Sequence, residues 1–249
     1  MAINLKDEVK LFMVFDILGD IERSGPKQWC VDRKRLEDVK DHILDLILIF
    51  RVIEKYLPDY LDKDKILDYI ICHDLPEAIT GDITKFQGVP QEEIDRVTKI
   101  AIDYLVEKFN KVMDIRTILG NYEGRVDIES KVVSLMDKVH SATTFLKYES
   151  EKHIDIDNEG IIPTLSEYVE MAREKNIDIG DIFYQYHGTR LTFSDEECEK
   201  YNVPREDANT IVEVIQTFLD EFYQQKLDGT LLDVSNHFPK EATIYKQRY

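Results

Sequence analysis

Apolar residues recur every three to four positions along most of this chain, and strict alternation of apolar and polar residues is scarce. A spacing near 3.6 buries one stripe of a helix, so the pattern predicts an all-α fold. Leu5, Val9, Phe12, Phe15 and Leu18 mark a first helix that ends before the Ser24-Gly25-Pro26 break. Leu36 to Tyr56 reads as a second, with Val39, Ile43, Leu46, Ile47, Phe50 and Ile53 inward and Pro58 as its stop. Asp64 to Leu75 is a third, closed at Pro76, which either kinks the chain or opens a short new turn. Gly81, Gly88 and Pro90 bound a loop, and Gln91 to Phe109 and Asp127 to Glu149 follow as the fourth and fifth helices.

Past Glu149 the signal changes. Lys152 to Gly160 reads as an acidic surface loop, Pro163 to Lys175 as a helix, and 176–204 as irregular. Ala208 to Leu227 is an amphipathic helix, and the tail from Asp228 has no period. The organisation expected is a core over 1–150 and a mainly helical extension over 151–249 that packs on it.

The chain has 249 residues, enough to bury a core without disulfides. Its formal charge of −18 comes from 32 Lys and Arg against 50 Asp and Glu. That field repels nucleic-acid polymers and anionic membranes, so a small ligand or a protein partner is expected. One local exception is basic: Arg23 to Arg35 holds five cations (Arg23, Lys27, Arg33, Lys34, Arg35) and one acid, Asp32. Three scattered cysteines, Cys30, Cys72 and Cys198, fit a reduced, cytoplasmic setting. Met1 to Lys10 is charged and unlike a signal peptide, and the most apolar run, Ile43 to Phe50, contains Asp45 and is too short to cross a bilayer.

The candidate chemistry lies in Ile71-Cys72-His73-Asp74-Leu75-Pro76-Glu77-Ala78-Ile79-Thr80-Gly81-Asp82. An adjacent imidazole and carboxylate, followed by further acids, suits a divalent metal. An isolated His-Asp pair is also compatible with a buried hydrogen bond that merely satisfies two polar groups. The rest of the chain favours the metal. His42 lies beside the buried stripe, and Asp137 sits among Val133, Leu135, Met136 and Val139, where a lone carboxylate is costly. Lys138 faces another direction on the helix, so a cation shared by His42, His73, Asp74 and Asp137 is the better partner. Two imidazoles and two carboxylates suit one Mn, Fe, Co, Ni, Zn or Mg ion and exclude a thiolate site.

Three blocks carry a resemblance. They are Trp29 with Arg35-Leu36-Glu37-Asp38-Val39-Lys40-Asp41-His42, then His73 to Asp82, then Lys131-Val132-Val133-Ser134-Leu135-Met136-Asp137. In order and spacing the chain resembles the HD-domain metal-dependent phosphohydrolases, and within them the 5′-deoxynucleotidases that dephosphorylate deoxyribonucleoside monophosphates. The resemblance spans about residue 20 to 150. It implies an α-helical bundle, one divalent metal on His42, His73, Asp74 and Asp137, and a homodimer. It also implies that Glu77 and Asp82 lie beside the metal-bound water and the substrate sugar. The alternatives for them are a solvated acid after a helix end and a turn residue.

Arg35 is the first choice for the phosphate, because a guanidinium matches phosphate oxygens in a fork and its position fits the block. Arg23 is second. Trp29, the single tryptophan, packs on substrate or anchors the core. Arg33 and Lys34 read as solvated, His140 as a hydrogen-bonded structural residue, and Cys72 as a small core residue. His153, His187 and His237 fall outside the blocks, which disfavours a second metal. Two other outcomes stay open: release of diphosphate or triphosphate, and a nucleotide-sensing protein without turnover.

Overall fold

The structure is a computed structural model that describes residues 3–29, 31–84, 87–154, 170–171, 173–176 and 191–232. The expected loop beyond residue 154, the helix before 170, residues 177–190 and the tail from 233 lie outside the described residues, as do Cys30, His187 and His237. Helices are α1 (Lys6–Ile17), α2 (Ser24–Gln28), α3 (Val39–Ile53), α4 (Lys63–Cys72), α5 (Glu77–Thr80), α6 (Gln91–Phe109), α7 (Ile115–Glu123), α8 (Ile128–Ser150), α9 (Asp195–Tyr201) and α10 (Arg205–Leu227). Residues 170–171 and 173–175 are helical as well. Among the described residues the one extended feature is an antiparallel bridge between Glu22 and Asp38.

The bundle is built around α8. Most of its residues are buried, and it packs on α3, α4, α7 and α10. Side-chain caps set where the main helices begin. Asp38 accepts from the Asp41 amide at the start of α3, Asp62 from Lys65 at α4, and Asp127 from Ser130 at α8. Phe50, Leu46 and Ile66 are fully buried, and one apolar cluster runs from Leu11 to Leu219 through α10. Phe50→Ala should cost about 3–5 kcal/mol of unfolding free energy, measured by denaturant titration. Trp29 reports the transition, since it packs edge-to-face on Phe145 of α8 with centroids 4.9 Å apart.

Three expectations need correction. Ser24-Gly25-Pro26 is no break but the first turn of α2, where a proline is tolerated because its missing N–H would have no partner. The second helix starts at Val39, because Asp38 is its cap; the residues before it are extended and bridge to Glu22. The stretch 176–204 contains α9, opened by a capping box between Ser194 and Glu197. Between the fourth and fifth expected helices lies α7, which was not foreseen.

Candidate functional site

Three elements bring the sequence-selected residues together. His42 sits in the second turn of α3 and is fully buried. His73 is the C-cap of α4, its amide still bonded to the Tyr69 carbonyl, and Asp74 begins the turn that leads to α5. Pro76 precedes α5, so it opens a short new turn and places Glu77 at that turn's start. Asp137 projects from the middle of α8.

The four side chains meet. His42 Nε2 lies 3.3 Å from His73 Nε2, 3.4 Å from an Asp74 oxygen and 3.3 Å from an Asp137 oxygen. His73 Nε2 is 3.2 Å from the same Asp74 oxygen. Donors bound to one ion at about 2.0–2.2 Å and roughly right angles stand about 3 Å apart. The spacing therefore fits a shared divalent cation, and His42, His73 and Asp137 by themselves have the geometry to hold one.

Proton bookkeeping points the same way. The His73 Nδ1 is 2.8 Å from the Ile70 carbonyl, which can only accept, so Nδ1 carries the proton. A neutral His73 thus turns a lone pair on Nε2 toward His42 Nε2 and two carboxylates. Burial, strengthened by Arg23, lowers His42 to about 3, so this ring is neutral at ordinary pH. Burial opposes ionisation of Asp74 and Asp137, yet the histidines and Arg23 outweigh it: Asp74 falls to about 2 and Asp137 also stays ionised. Burial likewise opposes a charged His73, but Asp74 beside it raises its proton affinity above the usual histidine value. Lone pairs and negative charges converging in this way favour a cation at their centre.

Glu77 is a layer further out. Its Oε2 is buried without a hydrogen-bond partner among the described residues. Burial and the negative fields of Asp74 and Asp82 push its carboxyl well above the usual range, against the pull of Arg23. Asp82 follows Gly81, whose φ of +73° is a backbone state that suits glycine. That turn aims the Asp82 carboxylate at the Ser24 amide, 2.6 Å away, and at Arg23 Nε, 3.9 Å away.

Of the two arginines selected for the phosphate, Arg23 lies at the cluster and Arg35 does not. Arg23 points inward, 3.3 Å from Asp74, with Glu37 and Asp82 each at 3.9 Å. Its backbone is pinned by a bond to the Glu37 carbonyl beside the Glu22–Asp38 bridge. Arg35, with its side chain 72% exposed, is held by Asp38 and Asp41 at 3.0 and 2.8 Å. It lines a different cavity from the one at His73. The cap and the first turn of α3 capture it. Trp29 lies against Phe145 at the edge of the core. Arg33 is paired with Glu151. Burial raises the Cys72 thiol to about 12, which leaves it no thiolate with which to act as a nucleophile.

A cleft of about 520 Å³ opens from this cluster, with His73, Asp74 and Glu77 on one wall and Ile94, Asp95 and Thr98 of α6 on the other. The α6 wall was not foreseen, since nothing in a regular amphipathic helix distinguishes residues that face a cleft from residues that face water. Asp45 was also passed over, although a carboxylate three residues after His42 inside an apolar run was a signal. It lies 3.4 Å from His140 Nε2.

A family model described as "HD domain" matches residues 16–172. Human 5′-deoxynucleotidase HDDC2 is 25% identical over 146 residues, 57% of this chain and 70% of that protein. The protein of the same name from Xenopus laevis is 25% identical over 142 residues, 56% of this chain and 69% of its own. A solved structure of a conserved hypothetical protein from Pyrococcus furiosus overlays with a TM-score of 0.49 at 23% identity, covering 66% of this chain and 99% of that one.

Proposed function

The chain belongs to the HD domain family, and on that premise we propose that it is a metal-dependent nucleotide phosphohydrolase that releases phosphate from deoxyribonucleoside 5′-monophosphates. The observation that carries this reading is the convergence of four ligand-type side chains, His42, His73, Asp74 and Asp137, beside an unpartnered buried carboxyl in an open cleft. Relatives named 5′-deoxynucleotidases support the substrate class.

A divalent ion on these four residues supplies Lewis-acid neutralisation of phosphoryl charge and a more acidic water. The protein's own part is positioning and proton transfer. Glu77, whose raised proton affinity brings it toward the working pH, takes the proton of the attacking water. Arg23 stays charged because Asp74, Asp82 and Asp137 overcome its burial, and its guanidinium faces the phosphate. Asp82 holds the turn that carries Arg23, by way of the Ser24 amide. The α6 wall receives the nucleoside. The homodimer is proposed from the family resemblance and the cytoplasmic setting from the scattered cysteines, and light scattering checks the first. The site is assigned to a core over 1–150, with 151–249 an extension whose described helix α10 packs on α8.

A panel of nucleotides crossed with Mn, Co, Ni, Zn, Fe and Mg, with products read by ion chromatography, tests the reading. Inorganic phosphate from deoxynucleoside monophosphates is expected. Triphosphate or diphosphate as product transfers the chain to the other HD phosphohydrolases, and bound metal without any turnover makes it a sensor. Within the expected outcome, Glu77→Gln should lower kcat by about 10²–10⁴-fold with metal content unchanged, the loss typical of a removed general base.

A further inference from the structure

We propose that Asp45 and His140 form a relay that fixes the tautomer of His42, making both of them positioning residues of the metal centre. This rests on the metal reading given above and adds residues outside the four donors. The two ring nitrogens of buried His42 have different neighbours. Nε2 faces His73, Asp74 and Asp137, whereas Nδ1 lies 2.9 Å from His140 Nδ1. Two imidazole nitrogens at that separation share a single proton, and one ring donates it to the other.

The far side of His140 decides which ring donates. His140 Nε2 is 3.4 Å from an Asp45 oxygen and 3.5 Å from the Thr144 hydroxyl. That hydroxyl donates to Glu37 at 3.0 Å, so its oxygen is turned to His140 as an acceptor. Both neighbours of His140 Nε2 therefore accept, and the His140 proton resides there. With one proton on His140 its Nδ1 keeps a lone pair, since the nearest Glu37 oxygen, 3.9 Å away, is beyond hydrogen-bond reach; the shared proton then belongs to His42 Nδ1 and His42 Nε2 is bare toward the cation. The opposite tautomer would aim a proton from Nε2 into the ligand cluster. Outer partners that set a ligand histidine's tautomer are worth about 10–100-fold in metal affinity.

The relay runs outward. Asp45 stands one turn after His42 on α3 and, with its side chain 48% exposed, lines a separate cavity of about 540 Å³ on the far side of His140. A competing arrangement uses the same atoms: Glu37, His42 and His140 have the geometry for a second cation, for which His42 Nδ1 would be a ligand and not a donor.

The test is titration of the full-length chain with cobalt(II), following the visible spectrum and the stoichiometry, for wild type, His140→Leu, His140→Asn and Asp45→Ala. One cobalt per chain is expected in wild type. His140→Leu should weaken binding by about 10–100-fold and Asp45→Ala by less, each with an unfolding midpoint near wild type. His140→Asn should recover most of the affinity, because its amide oxygen can accept from His42 Nδ1. Long-range nitrogen–proton NMR of the histidine rings should place the His42 proton on Nδ1 in wild type. Unchanged affinity in His140→Leu and Asp45→Ala overturns the relay while the metal reading stands. Two cobalt ions in wild type, one of them lost in His140→Leu, overturn it in favour of a second cation. Wild type that takes up no divalent ion overturns the metal reading and the relay with it. Asp45 is half-exposed, so its variant decides even where a His140 variant fails to fold.

Discussion

Asp74→Ala should lower phosphate release by at least about 10³-fold and strip the protein of its stoichiometric metal. The size follows from position: one Asp74 oxygen lies 3.2 Å from His73, 3.4 Å from His42 and 3.3 Å from Arg23. Its loss removes a ligand and the largest favourable influence on His73 at once. A cation that neutralises phosphoryl charge contributes several kcal/mol to the transition state, and about 4 kcal/mol corresponds to 10³-fold in rate. Asp74→Asn separates chemistry from folding, because the amide oxygen still accepts from Arg23 while the charge is gone. It should keep the wild-type unfolding midpoint within a few degrees and lose metal like the alanine variant. Metal content by plasma emission and phosphate by colorimetry check both. Phosphate release that persists in the two variants removes the basis of the proposed reaction.

Much of this site was legible in the chain because its logic is local. His73, Asp74 and Glu77 fall within five residues, and a carboxylate at 137 amid Val133, Leu135, Met136 and Val139 stands out as a candidate partner for a cation. Helices α3, α6, α8 and α10 were readable for a similar reason, since long amphipathic segments show several turns of one stripe. Three short helices, α2, α7 and α9, were not. Helix α7 carries a usable signal: Asp114 caps Thr117, Ile115, Ile118, Leu119 and Tyr122 follow at helical spacing, and Gly124 ends the turn. Its nine residues cover about two and a half turns, which is too few for periodicity to stand out. Helix α9 is likewise announced mainly by its capping box.

The order of the arginines was illegible for a different reason. Motif position favours Arg35, but what an arginine meets depends on long-range packing. Asp74 and Asp82 reach Arg23 across 51 and 59 residues of chain (74 − 23 and 82 − 23), through a turn set by Gly81 and a bridge between Glu22 and Asp38. Arg35 instead sits just before a helix whose cap and first turn supply two acids, Asp38 and Asp41. Asp45 shows the same limit: its spacing from His42 is visible, yet only packing of α3 on α8 brings it to His140.

Their different placement makes the arginines the second decisive comparison. Arg23→Ala should reduce kcat/KM by about 10²–10³-fold, as expected for losing a charge-assisted contact made to phosphoryl oxygens. It should also destabilise the fold by about 3–5 kcal/mol, because Asp74 and Asp82 would lose the buried cation between them. Arg23→Lys should restore most of the stability but little of the activity, since an ammonium replaces the charge without the planar fork. Arg35→Ala should stay within about twofold of wild type in both, as exposed ion pairs such as those to Asp38 and Asp41 contribute little. Steady-state kinetics on a deoxynucleoside monophosphate, paired with urea unfolding, reads all three variants. A large kinetic defect in Arg35→Ala alongside a near-normal Arg23→Ala would return the phosphate to the first turn of α3. In that case substrate would enter from the Asp45 side of His140, and the cleft against α6 would lose its assignment.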